Sequence, residues 1–168
     1  PVELNWKGAK CVVETVGARV VSYVPAGGEE VIWNAEPMQL KEPKWAHGGI
    51  PLCWPWFGVN GKAGIHGTAW REEFAVVSKE EGKNWSSLVL VREENGIRLE
   101  FAVRLKDTLK IELKTVNDSD KDFSFYAGFH PYFRVGDVEK CFVGGVKDPV
   151  MKKFVAGEDI FLDKPIDD

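Results

Sequence analysis

The chain contains three histidines, and all three lie in segments rich in glycine, proline and aromatic residues. His47 begins HGGIPLCWPWFG, His66 lies in GIHGTAW, and His130 lies in AGFHPYFRVGD. Imidazole, with an ordinary pKa of about 6.5, is the side chain that takes up and releases protons near neutral pH. A histidine beside aromatic rings is also a common packed residue. The same setting at all three positions favours proton chemistry or sugar binding over packing alone.

The bulk composition narrows the class of protein. The 168 residues, 44% of them hydrophobic and 29% charged, predict one globular domain over 1–168. A net charge of -4, with dispersed lysines and arginines, argues against nucleic acid as a partner. Because no apolar run reaches the ~20 residues of a membrane span and no leader precedes Val2, we expect a cytoplasmic protein that does not bind membranes.

The cysteines predict neither a disulfide framework nor a zinc site. Cys11, Cys53 and Cys141 are odd in number, widely spaced and without a CxxC pair, which is typical of reduced thiols. Cys53 lies among proline and tryptophan. We interpret it as a small apolar filler and not as a nucleophile, because no base lies beside it in the sequence.

Alternation of apolar and polar residues predicts an all-β protein. Leu109, Ile111 and Leu113 alternate with charged residues, and the run from 97 to 104 does the same. The Asn95-Gly96 pair is a strong hairpin signal, so residues 87–116 are predicted to form a three-strand antiparallel meander. Further strands are predicted at 11–15, 18–24, 29–33, 123–127 and 142–146. Short strands at regular spacing indicate an antiparallel sandwich.

Residues 34–71 interrupt this pattern. Pro37, Pro43, Pro51 and Pro55, together with paired glycines, exclude a regular element. We predict a binding loop laid across the sheet. Seven tryptophans and ten phenylalanines, many of them between 45 and 74, suit either the apolar face of a sugar ring or ordinary packing, and composition leaves both open.

The order of these motifs resembles a known family. HGGIPLCWPWFG, then HGTAW, then FHPYFRVGD is similar to the hexose-phosphate mutarotase branch of the aldose 1-epimerases. The opening GARVVSYVPAGGEEVIW resembles the first strands of the same family. The resemblance implies an antiparallel β-sandwich of the galactose-mutarotase-like type and an isomerase that needs no cofactor or metal.

The resemblance also implies roles for individual residues. His66 matches the histidine that lines the sugar site, and His130 matches the general acid. Asp167, near the C-terminal end of the chain, is matched to a substrate-holding aspartate. The implied reaction opens the ring of an aldohexose or hexose 6-phosphate, which interconverts its α and β anomers.

Two positions depart from the phosphosugar branch. His47 precedes GGIP and Trp70 follows the HG motif, where that branch normally has arginines, and Arg71 comes one residue later. Neither imidazole nor indole offers the paired N–H groups that a guanidinium gives to phosphate. The resemblance implies that His47, Trp70, Arg71 and Asp167 contact the substrate. Because the two arginines are replaced, we leave open whether that substrate is phosphorylated.

Family members continue past position 168 and supply a glutamate as the catalytic base. The chain is then a fragment, a short or truncated product, or one that a partner chain completes. We expect weak or no activity from it alone, and association with another copy through open sheet edges.

Three other readings remain. A non-catalytic carbohydrate-binding module would keep the aromatic wall and need no acid and base. A cupin-like barrel would use His47, His66 and His130 as metal ligands, although no His-x-His occurs. A purely structural or partner-binding role would leave the loop motifs unexplained.

Overall fold

The computed structural model describes residues 1–35, 47–142, 150–152 and 159–161. The chain divides into two compact units, Pro1–Arg134 and Val135–Asp168. This division does not test the prediction of a single domain over 1–168, which stays a prediction. Among the described residues, no helix has the length and apolar character that crossing a membrane requires.

The described part of the first unit contains nine strands. They are β1 (Val2–Trp6), β2 (Ala9–Glu14), β3 (Arg19–Val24), β4 (Leu52–Cys53), β5 (Ala75–Gly82), β6 (Trp85–Glu94), β7 (Ile97–Leu105), β8 (Leu109–Asn117) and β9 (Gly128–Phe129). Strands β1–β2–β3 form one antiparallel sheet, β5–β6–β7–β8 form a second, and β4 pairs with β9. The only helical elements of this unit's described part are the 3-10 turns Gly61–Ala63 and Ala69–Arg71.

The predicted meander is confirmed and is one strand longer than expected. Strands β6, β7 and β8 cover the predicted 87–116, and β5 adds a fourth strand through the turn at Lys83-Asn84. Asn95 and Gly96 both have positive φ angles, 52° and 77°, as the tight turn between β6 and β7 requires. The pairing of β7 with β8 is regular over all nine residues of each strand.

The core lies between the two sheets. Every second residue of β2 and β7 is buried. Strand β1 contacts β6 and β7, and β2 contacts β7. The fully buried large side chains between the two sheets include Leu4, Leu88, Leu90, Leu99, Phe101 and Val103. The sandwich expected from the alternation is therefore the observed architecture.

Two predicted strands are wrong, one is only partly described, and the predicted irregular segment needs a correction. Residues 29–33 and 123–127 form no strand, although Ile32 makes an isolated antiparallel bridge with Phe133. After β8 the side-chain amide of Asn117 donates to the Lys121 carbonyl, which closes a turn directly after the strand. The described part of 34–71 is mostly irregular, but the prediction that it holds no regular element is wrong, because β4 and two 3-10 turns lie in it. Residues 36–46, with Pro37 and Pro43, lie outside the described residues. So do residues 143–146 of the predicted strand at 142–146.

The second unit is described in three short pieces. A 3-10 turn spans Val138–Lys140, and the Asp137 side chain accepts a hydrogen bond from the Glu139 N–H at its start. Strands β10 (Val150–Lys152) and β11 (Asp159–Phe161) form an antiparallel pair.

The packing of the sandwich makes a matched pair of substitutions informative. Val103→Ala removes two methyl groups at a site that is 1% exposed, and we expect it to lower the free energy of unfolding by about 2 kcal/mol. Val77→Ala deletes the same atoms from a side chain of the same sheet that is 57% exposed, and should cost less than about 0.5 kcal/mol. Urea unfolding measures both. Equal losses would contradict the core described above.

Candidate functional site

His130 is held in place by backbone pairing with the GGIP segment. β9 pairs with β4 through Leu52↔Phe129 and Cys53↔Gly128. Directly after β9 the His130 N–H donates to the Pro51 carbonyl at 3.0 Å, and the Tyr132 N–H donates to the Gly49 carbonyl at 2.9 Å. The backbone that carries the imidazole is therefore held by hydrogen bonds at His130 itself and at Tyr132.

The GGIP segment is in turn fixed to the first sheet. The Gly49 N–H donates to the Trp33 carbonyl, and the Ile50 N–H donates to the Val20 carbonyl on β3. A Cβ on Gly49 would lie 2.7 Å from that carbonyl oxygen, and Gly49 has a φ of 75°, so only glycine fits without a shift. This close approach connects the His130 backbone to the sandwich.

His66 lies in a loop that closes on itself through its own side chain. The backbone N–H of His66 donates to the Gly58 carbonyl at 2.9 Å, and the backbone N–H of Gly58 donates back to Nδ1 of the His66 ring at 3.0 Å. His66 adopts a left-handed φ of 59°, which histidine tolerates better than most residues. The reciprocal pair of hydrogen bonds holds this conformation.

The strand that pairs with β9 also anchors the His66 loop. The Trp54 carbonyl, directly after β4, accepts hydrogen bonds from the N–H groups of Thr68 and Ala69 at 2.8 and 3.2 Å. Gly67 packs so closely on it that a Cβ there would lie 1.9 Å from the Trp54 carbonyl oxygen. One stretch of backbone, residues 51–54, therefore positions both histidines.

The two imidazoles lie in contact distance of each other. Their ring centroids are 5.4 Å apart with an interplanar angle of 74°. Phe57 lies 4.8 Å from the His66 ring and 6.0 Å from the His130 ring, and Tyr132 stacks on His130 at 4.9 Å. We name His66, His130, Phe57 and Tyr132 the imidazole cluster.

The two histidines of the cluster differ in their surroundings. His66 is only 7% exposed, whereas His130 is partly exposed. Burial lowers the pKa of His66 below its ordinary value, and the nearby His130 lowers it further. Because Nδ1 accepts the Gly58 N–H, the proton of the neutral His66 ring is assigned to Nε2. His66 is thus a neutral hydrogen-bond donor near pH 7.

The other predicted contact residues lie in different settings. His47 is exposed, and its carbonyl accepts a hydrogen bond from Ala35 at 3.3 Å. The indole N–H of Trp70 donates to the carbonyls of Ile65 and Gly67, so this side chain braces the His66 loop. The Arg71 guanidinium is 5.9 Å from the Trp70 ring. Asp167 lies outside the described residues.

Two members of the imidazole cluster are absent from the sequence-based list of site residues. Tyr132 is two residues after His130, and in an extended segment this spacing places both side chains on one face. That signal was available in AGFHPYFRVGD. Phe57 reaches the cluster through the turn of the WPWFG segment, and nothing in its spacing indicates this.

Cys53 is fully buried. Burial raises the pKa of Cys53 to about 12, so its thiol is protonated near neutral pH, as expected of an apolar filler.

In the described ranges, no group of three or more His, Cys, Asp or Glu side chains has an arrangement that could hold a metal ion. The cupin-like hypothesis therefore has no geometric support there.

Comparisons with known proteins converge on one family. The Aldose 1-epimerase family model matches residues 2–148. A protein of Escherichia coli (strain K12) named "Putative glucose-6-phosphate 1-epimerase" is 32% identical over 148 residues, which cover 82% of this chain and 49% of that protein. The protein of Salmonella typhimurium with the same name is 28% identical over 148 residues and is covered to the same extent, 82% and 49%.

Solved structures agree with these sequence matches. A crystal structure from Salmonella typhimurium described as "a putative mutarotase" superposes with a TM-score of 0.70 at 27% identity, over 80% of this chain and 48% of that one. The Slr1438 protein of Synechocystis, at 22% identity and a TM-score of 0.65, supports the fold alone, over 79% of this chain and 53% of that one. The predicted mutarotase-type sandwich is confirmed. The chain spans about half the length of the relatives that it matches.

The environment of His66 predicts a loss of stability in mild acid. The unfolded chain binds a proton near pH 6.5, whereas the folded chain, with a lowered His66 pKa, resists protonation. Its contribution to the free energy of unfolding is therefore complete above about pH 6.5 and is lost as the pH falls through the lower folded pKa. Asparagine tolerates a left-handed φ, so His66→Asn should keep the loop conformation. We expect it to flatten the dependence of the free energy of unfolding on pH, measured by urea unfolding between about pH 7.5 and 5.5.

Lys83→Gln is the control for that experiment. It removes a positive charge in an exposed turn without removing an imidazole, so its profile should follow that of the unmodified chain. A His66→Asn profile as steep as the unmodified one would contradict the assignment of a buried, neutral His66.

Proposed function

The chain belongs to the aldose 1-epimerase family, and we propose that its imidazole cluster binds an aldohexose or hexose 6-phosphate and delivers a proton to the ring oxygen. The observation that carries this proposal is the contact between a buried, neutral His66 and a partly exposed His130. Two titratable groups in unequal environments are suited to unequal roles in proton transfer.

The proposed reaction is anomer interconversion. His130, as imidazolium, donates a proton to the ring oxygen while a base removes the proton of the C1 hydroxyl. The C1–O bond breaks, an open-chain aldehyde forms, and rotation about C1–C2 followed by the reverse transfers closes the ring on the other face. His66, through Nε2–H, hydrogen-bonds oxygen in the same region and stabilises the charge that develops there.

We expect the removal of the C1 hydroxyl proton to limit the rate of the reaction on this chain. No described residue is assigned to the base that removes the C1 hydroxyl proton. We expect slow turnover for this reason.

Phe57 and Tyr132 flank the two imidazoles with ring faces and edges, and such rings pack against the C–H face of a sugar.

A direct test combines binding with catalysis. Titration with α-glucose, and separately with glucose 6-phosphate, should shift the imidazole resonances of His66 and His130 in NMR spectra. The protein-dependent part of the mutarotation rate, followed by exchange NMR, should be small and should disappear in His130→Ala, since a general acid contributes about 10²–10⁴-fold.

Lys83→Ala is the matched control, because it lies in an exposed turn and should leave both readouts unchanged. Acceleration that survives His130→Ala would contradict the proposed role of His130. The absence of both binding and acceleration with either sugar would contradict the proposal as a whole.

A second candidate function, non-catalytic carbohydrate binding, is supported by a separate cleft. Its volume is about 530 Å³, which lies in the range of small-molecule sites. Aromatic rings of Trp54, Trp56 and Phe123 contribute to its wall, and Asn95 and Thr68 add polar groups. Three carboxylates, those of Glu94, Asp120 and Asp122, against the one ammonium of Lys121 disfavour a phosphorylated ligand.

The two candidates respond differently to substitution. If the cleft is the sugar site, Trp56→Ala should abolish glucose binding in calorimetry, whereas His130→Ala should leave it unchanged. Because Trp56 is only partly buried, its loss should leave the fold intact, and circular dichroism checks this. Binding that depends on His130 and not on Trp56 would exclude the cleft as the site.

A further inference from the structure

β8 is the edge strand of the four-stranded sheet within the described residues. It pairs with β7 over its whole length, and no described strand lies on its other side. An edge of nine residues without a bulge is a template for another strand. The opposite edge, β5, differs because its register shifts between Val76 and Ser78, and such an irregularity interferes with further pairing.

The charges of β8 alternate in a way that suits pairing with itself. Lys110, Glu112 and Lys114 lie on the solvent face, and their side chains are about 60% exposed: 64%, 60% and 64%. In an antiparallel pair of identical strands, a two-fold axis at an even-numbered residue would oppose like charges, for example Lys110 and Lys114 around Glu112. An axis at an odd-numbered residue opposes lysine and glutamate instead.

One of these registers uses the whole strand. β8 runs from Leu109 to Asn117, and its central residue is Leu113. An axis at Leu113 pairs all nine residues and places Glu112 of each copy opposite Lys114 of the other. It also keeps the less exposed faces of the two strands on the same side, with Leu113 opposite Leu113 and Ile111 opposite Thr115. An axis at Ile111 would pair only five residues within the strand.

An apolar groove of about 290 Å³ adjoins the same edge. Leu113 and Thr115 line it from β8, and Phe125, Ala127 and Phe129 line it from the following segment. Phe125 and Phe129 remain 43% and 38% exposed. A second β8 in the register above would bring the two grooves next to each other across the axis, which buries apolar surface in addition to pairing the backbone.

We propose that two copies of this chain associate through their β8 strands, antiparallel and with a two-fold axis at Leu113. The two four-stranded sheets then become one continuous sheet of eight strands. This pairing involves neither the imidazole cluster nor a sugar, so it stands or fails independently of the proposed function.

Charge reversal tests the register. We expect the unmodified chain to form a dimer in sedimentation equilibrium. Glu112→Lys or Lys114→Glu should each raise the dissociation constant about tenfold or more, because like charges then face each other twice per interface. The double variant Glu112→Lys/Lys114→Glu should recover the dimer, since the opposed charges are again unlike.

Lys110→Glu is the control on the same strand. Lys110 faces Val116 in the proposed register, so its reversal should leave the dissociation constant unchanged. A monomer at every concentration reached, a double variant that does not recover, or a Lys110→Glu effect as large as that of Glu112→Lys would each overturn the proposal.

A cross-link gives a second, independent readout. In a Cys141→Ser background, Leu113→Cys should form a covalent dimer on mild oxidation, because directly opposed residues lie within the range of a disulfide. Leu109→Cys is the matched variant, and it should not cross-link because it faces Asn117. Cross-linking at 109 and not at 113 would contradict the axis at Leu113.

Discussion

The candidate site depends on one short stretch of backbone, residues 51–54. Through Pro51 and β4 it pairs with the segment that carries His130, and through the Trp54 carbonyl it holds the turn that carries His66. The close approach of Gly67 to Trp54 leaves no room for a side chain, so the two segments are kept at backbone contact. Two imidazoles from distant parts of the chain thereby meet at a fixed separation.

A fixed separation matters because His130 then disfavours the protonated form of His66. His66 is buried, bound at Nδ1 and disfavoured as a cation by its neighbour, so it remains a hydrogen-bond donor. His130 lies nearer the solvent, where a proton can be exchanged. Environments of this kind allow one residue type to serve two roles. The difference arises from the loop closed by Gly58 and not from the histidines themselves.

Much of the fold could be predicted from local signals. The alternation from 97 to 116 and the Asn95-Gly96 pair are decided within each strand or turn, and the structure follows them. Residues 29–33 and 123–127 are different, because their apolar content does not determine whether a partner strand lies beside them. Ile32 has only an isolated bridge to Phe133, and residues 123–127 follow the turn that Asn117 stabilises.

The site shows the same division. The resemblance to a family indicated His66 and His130, and the structure brings them together, whereas their contact could not be derived from spacing. Trp70 is a different case. Its contact with a substrate stays a prediction, and its indole N–H donates to the carbonyls of Ile65 and Gly67. Whether an aromatic side chain in a loop faces the backbone or the solvent is decided only when the loop is closed, so its motif alone does not reveal its contacts.

The edge strand and the imidazole cluster are separated by β9. Phe129 packs edge-on against Phe101 of the large sheet at 6.2 Å, whereas His130, the next residue, contacts Phe57 and His66. Consecutive residues of an extended segment point to opposite faces, so the groove beside β8 and the imidazoles lie on opposite sides of one strand. A protein surface that covers the groove would therefore contact β9 on the Phe129 side and leave the face that carries His130 uncovered.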